Sequence, residues 1–195
     1  MAKGEIVGWL NSDDRYRPGA IAAVLRVFAE NPEVDVVYGD YALMDTDGNY
    51  LTTRREIAFN SFILRHHRVL YIPTTATFFR RRIFDEDNWL NEELHYAMDL
   101  DFFIRLAARG YRFKHIPVTL ADFRLHPSSK TCTNAITVLA ETRVIARHYS
   151  RTSRIPLRFL SNAAFSLCRY AAAMLRYTEK FARGYYFTQR NPKYF

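Results

Sequence analysis

Apolar residues fall in short runs through the first half of the chain and at helical spacing through the last part. Ile6-Val7-Gly8-Trp9-Leu10 is an unbroken run and predicts a buried strand over 5–10. Pro18 suits the first turn of a helix, and Ile21, Val24, Leu25 and Phe28 continue it to Asn31-Pro32. Val34 to Tyr38 reads as a second buried strand closing at Gly39-Asp40. Asp45-Thr46-Asp47-Gly48-Asn49 is turn chemistry, so a hairpin of two short strands is expected around it. Phe59, Phe62 and Ile63 predict a short helix with His66-His67-Arg68 at an exposed end, and Thr74 to Phe79 a strand. Arg80-Arg81-Arg82 reads as a solvated helix start or as a phosphate contact. Leu100, Phe103, Ile104 and Ala107 share one face of a helix within 91–109 that Gly110 stops. Tyr111 to Val118 is a strand ending at Pro117, 119–131 a loop rich in polar groups, and 134–148 helical. Strands alternating with helices predict an α/β sheet.

The first strand runs straight into Asn11-Ser12-Asp13-Asp14. In open α/β sheets, ligands lie outside the carboxyl ends of strands. Two carboxylates there suit a hard divalent cation shared with a phosphate. The same pair also reads as an exposed turn capping the next helix, and the local pattern alone leaves both open.

Gly4 to Asp14, with Tyr16 and Pro18 behind it, resembles the acidic metal motif of family 2 glycosyltransferases of the GT-A fold. Three more segments agree in order and spacing: Ile72 to Arg81, Tyr96 to Leu106, and Phe123 to Thr131. The resemblance implies a partial GT-A fold, a mixed sheet flanked by helices. It also implies transfer of a sugar, with inversion, from a nucleotide-diphosphate donor to a glycan or lipid-linked acceptor, using Mg²⁺ or Mn²⁺, in cell-surface polysaccharide or glycolipid synthesis. By resemblance, Asp13 and Asp14 hold metal and diphosphate, and His126 completes the metal site. Arg124 and Lys130 meet the diphosphate, and Asp99 is the catalytic base. Asn11 stands where relatives carry a further acid, and an amide ligates metal more weakly, so it is assigned a ribose or supporting contact. Asp99 opens a helix whose N-terminus lowers its basicity, so a working base needs burial or a neighbouring acid; a plain helix cap is the alternative. Asp101 and Arg105 are read as an i,i+4 pair. Trp89 and Tyr96 are candidates for stacking on an acceptor sugar or for packing.

Residues before the metal motif in that family carry the first strands and nucleotide-binding elements, and none is expected in residues 1–3. The open sheet edge this implies invites a second copy or another chain. The rival reading is therefore a non-catalytic remnant, or one subunit of a split enzyme.

Charge divides the chain. Of 28 Lys/Arg and 20 Asp/Glu, residues 147–195 hold ten basic and one acidic, Glu179, a net +9. Residues 1–146 keep 18 basic and 19 acidic, a net −1, so a catalytic part over 1–146 and a basic tail over 147–195 are expected. Within the tail, Leu160, Ala164, Leu167, Ala171, Met174, Leu175 and Phe181 share one helix face. Arg158, Arg169, Arg176, Lys180 and Arg183 share the opposite one. Two readings follow: 158–183 lies on the inner face of an anionic membrane, or its apolar face packs on the domain and leaves a solvated basic side. No nucleic-acid motif accompanies the charges, so nucleic acid is not an expected partner. Cys132 and Cys168 have no metal spacing, and no apolar run is long enough for a signal peptide or a membrane span, so a cytoplasmic chain is expected.

Overall fold

The computed structural model describes residues 3–67, 69–126, 135–150 and 158–188. Six strands form one sheet: β1 (Ile6–Gly8), β2 (Arg15–Tyr16), β3 (Val36–Met44), β4 (Tyr50–Arg54), β5 (Thr77–Arg80) and β6 (Phe113–Arg124). The helices are α1 (Ala20–Glu30), α2 (Ser61–His66), α3 (Arg82–Asp85), α4 (Met98–Ala108), α5 (Ala135–Ser150), α6 (Arg158–Ala182) and α7 (Tyr185–Thr188). The order is β1-β5-β3-β6-β2, with β4 beside the second half of β3. β3 and β6 are parallel, and every other pairing is antiparallel. β1 and β3 both oppose β5, so β1, β3 and β6 run the same way and end at one rim.

The sheet is buried on both faces, which is why its strands read as continuous apolar runs rather than alternating ones. Val36, Tyr38 and Phe79 point to the side of α2 and α4, where Leu64, Leu100, Phe103 and Ile104 complete the larger core. Val37 and Phe78 point the other way, onto Val24 and Phe28 of α1. Phe79 contacts Phe84, Phe102 and Phe103, with ring centroids 5.7–6.0 Å apart. Of the residues at helical spacing, Val24 and Phe28 are buried with Ala20, while Ile21 and Leu25 are exposed.

Four expectations change. β1 is an edge strand, half-buried at Ile6 and Val7, because it pairs only with β5 among the described residues. β6 does not stop at Pro117 but runs to Arg124, so 119–124 is strand and not loop. The proline is absorbed where the ladder slips: Ile116 faces Gly39, and the next pair is Thr119 with Asp40. Gly39 is needed there, since a Cβ would sit 2.5 Å from the Val118 carbonyl oxygen. His67 is buried, not an exposed end, with its ring edge-on to Tyr177 of α6. Thr74–Ala76 forms a 3-10 turn before β5 in place of strand.

The arginine triplet is structural. Arg80 donates from Nη2 to the Phe28 and Asn31 carbonyls at the end of α1 and from Nε to the Val34 carbonyl. Arg82 pairs with Asp35, and Arg81 with Asp85. The hairpin turn is as expected: the Asp45 carboxylate accepts from the Asp47 and Asn49 amides, and Gly48 takes φ 86°.

The last long helix departs from the reading in which its apolar face packs on the domain. Arg176 and Lys180 of α6 face inward onto Glu56, at 3.1 and 2.9 Å, and all three are buried. The apolar side of α6 faces outward, and the basic stripe is divided: Arg176 and Lys180 are buried, whereas Arg169 and Arg183 stay exposed. Among the described residues, no helix is long and apolar enough to cross a membrane.

Candidate functional site

Three segments meet at the rim where β1, β3 and β6 end: the acidic loop after β1, the turn after β3, and the residues closing β6. Arg124, the last residue of β6, ties them together. Its backbone N–H donates to Asp14 Oδ1 at 2.9 Å, and its Nε to the Asp13 carbonyl at 3.1 Å. Its Nη1 donates to the carbonyls of Asp45 and Thr46 at 3.1 and 2.6 Å. Asp14 Oδ2 accepts from the Asn11 side-chain amide at 2.9 Å, and the Asp14 amide closes a turn onto the Asn11 carbonyl at 3.2 Å. Asp14 is therefore a buried clamp with a donor on each oxygen.

Asp13 differs. Its side chain is 39% exposed, and its Oδ2 lies 3.1 Å from His126 Nε2, a ring 32% exposed. The pair brings one hard oxygen and one imidazole nitrogen together from 113 residues apart, at a solvent-accessible position. A carboxylate and an imidazole suit Mn²⁺, and a carboxylate suits Mg²⁺, with remaining positions left to phosphate and water. Among the described residues, no group of three or more His, Cys, Asp or Glu stands together as a complete cage. The donor set fits an ion completed by a ligand's phosphates. Asn11 contacts Asp14 and so acts on the loop's shape. Lys130 lies outside the described residues.

Asp99 sits in the first turn of α4. Burial pushes its carboxyl above the usual carboxylate range; the backbone N–H groups of Leu100 and Asp99 and the Thr74 hydroxyl pull the other way without cancelling it. The Leu100 N–H donates to Oδ1 at 2.7 Å. β5 is antiparallel to β1 and β3, so Thr74, just before β5, places Asp99 at the same rim as the acidic loop. Asp101 is the structural neighbour expected: it pairs with Arg105 at 3.5 Å and accepts the Tyr149 hydroxyl at 3.0 Å.

Where the chain enters α4 lies an open cleft of about 580 Å³ lined by Trp89, Leu90, Asn91, Glu92, Leu94, His95 and Met98. Trp89 is exposed and leans on Phe84, with centroids 5.6 Å apart. The backbone of this wall is held by Glu141 of α5. Its carboxylate accepts from the amides of His95, Tyr96 and Ala97 at 3.2, 2.9 and 2.8 Å. Burial raises the Glu141 pKa, but those three amides outweigh it and hold it below the usual range. Thr74 lies in the resembling segment 72–81 but has no role assigned to it there, and Glu141 is not marked by sequence. A lone Thr before a strand and a lone Glu in a helix carry no motif, and their partners come from other elements.

A family model described as Glycosyl transferase family group 2 matches residues 6–179. The chondroitin synthase of Pasteurella multocida (strain Pm70) is 27% identical over 141 residues, covering 69% of this chain and 14% of that protein. The hyaluronan synthase of Pasteurella multocida is 28% identical over 123 residues, covering 60% and 12%. The chain thus spans a small part of the relatives it matches. Among solved structures, S. aureus TarS 1–349 in complex with UDP superposes with a TM-score of 0.51 at 16% identity, covering 86% of this chain and 46% of that one. Its complex with UDP-GlcNAc gives 0.50 at 18%, covering 74% and 43%. The mixed sheet with its flanking helices is thus part of the glycosyltransferase fold. With a family model covering β1 through most of α6, the chain belongs to glycosyl transferase family group 2.

Proposed function

We propose that this chain carries the metal-binding and acceptor part of a glycosyltransferase. The enzyme would move a sugar, with inversion, from a nucleotide-diphosphate donor to a glycan or lipid-linked acceptor. The observation that carries the reading is the Asp13–His126 pair held at one strand-end rim with a burial-raised Asp99. The TarS complexes with UDP and UDP-GlcNAc support trying uridine diphosphates first as donors.

In this reading Asp13 and His126 would hold Mg²⁺ or Mn²⁺, which when bound offsets the charge of the diphosphate leaving group. Asp14 and Asn11 keep the loop in shape, and Arg124 fixes that loop against the Asp45–Asn49 turn. The acceptor enters the cleft beside Trp89. Asp99 takes the proton from the acceptor hydroxyl as that oxygen bonds to the anomeric carbon. The bond from the anomeric carbon to the diphosphate oxygen breaks, and its electron pair leaves with the diphosphate. A raised pKa makes Asp99 a stronger base than an ordinary carboxylate.

The test is calorimetric titration of the chain with UDP, with and without Mn²⁺, repeated on Asp13→Asn. Manganese-dependent binding that the variant loses supports the reading. Equal binding by both proteins overturns the assignment of Asp13.

A second reading rests on the pairing of β1 on one side only, with β5, among the described residues. A strand from another chain added at that edge would make this polypeptide a subunit that works only with its partner. Binding of UDP and Mn²⁺ by the isolated chain counts against it.

A further inference from the structure

Helix α6 turns its apolar side away from the protein. Leu167, Tyr170, Met174, Leu175, Tyr177 and Phe181 are each 50–70% exposed. On the opposite side Ala172, Arg176 and Lys180 are buried. At 100° per residue the six exposed residues span an arc of about 160°, and no charged residue of the helix falls inside it. Arg169, Arg176, Glu179, Lys180 and Arg183 all fall within about 100° on the domain side. Thr178, the polar residue within the arc, is satisfied internally, its hydroxyl donating to the Met174 and Leu175 carbonyls. The other polar groups in the arc are the hydroxyls of Tyr170 and Tyr177. An exposed apolar stripe of this size is a surface that something covers.

Its occupant follows from shape and charge. A helix-pairing seam is narrow, two positions in seven, and this arc is more than twice as wide as such a stripe needs. A second copy would also bring together two segments of 147–195, each carrying +9. An anionic lipid surface removes both difficulties: it accepts a broad apolar arc, and it attracts the net positive charge of 147–195, of which Arg169 and Arg183 are exposed while Arg176 and Lys180 are paired with Glu56. Tyr170 and Tyr177 add phenol groups that favour the boundary between acyl chains and headgroups. We propose that the outward face of α6 lies in the interface of an anionic membrane, with the domain anchored above it through Glu56. This does not depend on the glycosyl-transfer reading, since lipid binding is read without nucleotide sugar.

The test is flotation of the full chain with vesicles of phosphatidylglycerol and phosphatidylcholine, and with phosphatidylcholine alone. Sedimentation equilibrium runs in parallel. The chain should float with the anionic vesicles and at least about tenfold less with the neutral ones. The double variant M174E/F181E should lose most of that binding while keeping the far-UV spectrum and melting temperature, because both side chains are already exposed. Leu167→Glu repeats the test one turn away, should the double variant fold poorly. Failure of the unaltered chain to float, or equal flotation of the variants, overturns the proposal. So does a reversible dimer that the same substitutions dissolve in the absence of lipid binding, which would give the face to a second copy.

Discussion

His126 Nε2 and Asp13 Oδ2 stand 3.1 Å apart at the open rim, whereas the adjacent Asp14 is turned inward onto Arg124 N–H and Asn11. Neighbouring carboxylates thus have different surroundings, and their substitutions should separate.

Asp13→Asn and His126→Ala should each weaken manganese-dependent nucleotide binding at least about tenfold. Both side chains are about a third exposed, so melting temperatures should hardly move. Asp14→Ala should do the reverse. It removes the acceptor for two hydrogen bonds at a buried position, at a cost of about 1–3 kcal/mol. Calorimetry and thermal melts on the three proteins check both halves. Loss of metal binding without loss of stability in Asp14→Ala would make Asp14 a ligand after all.

Asp99→Asn should lower turnover by about 10²–10⁴ while leaving nucleotide binding unchanged. The base works deprotonated, and burial raises its pKa, so the acid limb of the rate profile should lie above the ordinary carboxylate range. The sign for stability follows. A raised folded pKa favours the protonated form, so this contribution is present below the unfolded value near 3.8 and is lost as pH rises through the folded one. At neutral pH, Asp99→Asn should therefore be at least as stable as the parent. A destabilised Asp99→Asn would assign Asp99 to a structural role.

Much of this arrangement was legible. Val36-Val37-Tyr38 and Phe78-Phe79 gave the doubly covered strands, and the apolar run into Asn11-Ser12-Asp13-Asp14 gave the rim. The orientation of α6 was not. Its periodicity separates a basic from an apolar face but does not say which one faces inward. That is decided by Glu56, more than a hundred residues earlier, which collects Arg176 and Lys180. The different surroundings of Asp13 and Asp14 were also hidden, because Arg124 arrives from 110 residues away. Pro117 suggested a strand end because a ladder slip opposite Gly39 leaves no mark in β6 itself.

The Glu56 contacts predict how α6 is held. Burial lowers the Lys180 pKa, and Glu56 opposes that shift. Replacing Glu56 with Ala leaves two buried cations without their carboxylate, a loss of about 3–5 kcal/mol. Chemical denaturation should show that loss, and hydrogen exchange should rise in α6 before the sheet. An unchanged midpoint would mean that the remaining contacts, such as those of buried Ala172 and of Tyr177 with His67, hold the helix.

His67 should report the same packing through pH. Burial lowers its pKa to about 4, helped by Arg176, Arg169 and Lys180. Its folded pKa lies below the unfolded value near 6.5, so the unfolded chain binds the extra proton first. The contribution is complete above about pH 6.5 and is lost as pH falls toward 4, amounting to about 3 kcal/mol at full protonation. The ring is also edge-on to Tyr177, at 5.8 Å between centroids, where the margin of the outward arc of α6 meets the domain, so protonating it disturbs that seam. His67→Phe should flatten this part of the stability profile while Glu56→Ala does not. Denaturation midpoints at pH 4.5, 5.5 and 7 distinguish them, and a profile still steep in His67→Phe would move the titration to another group.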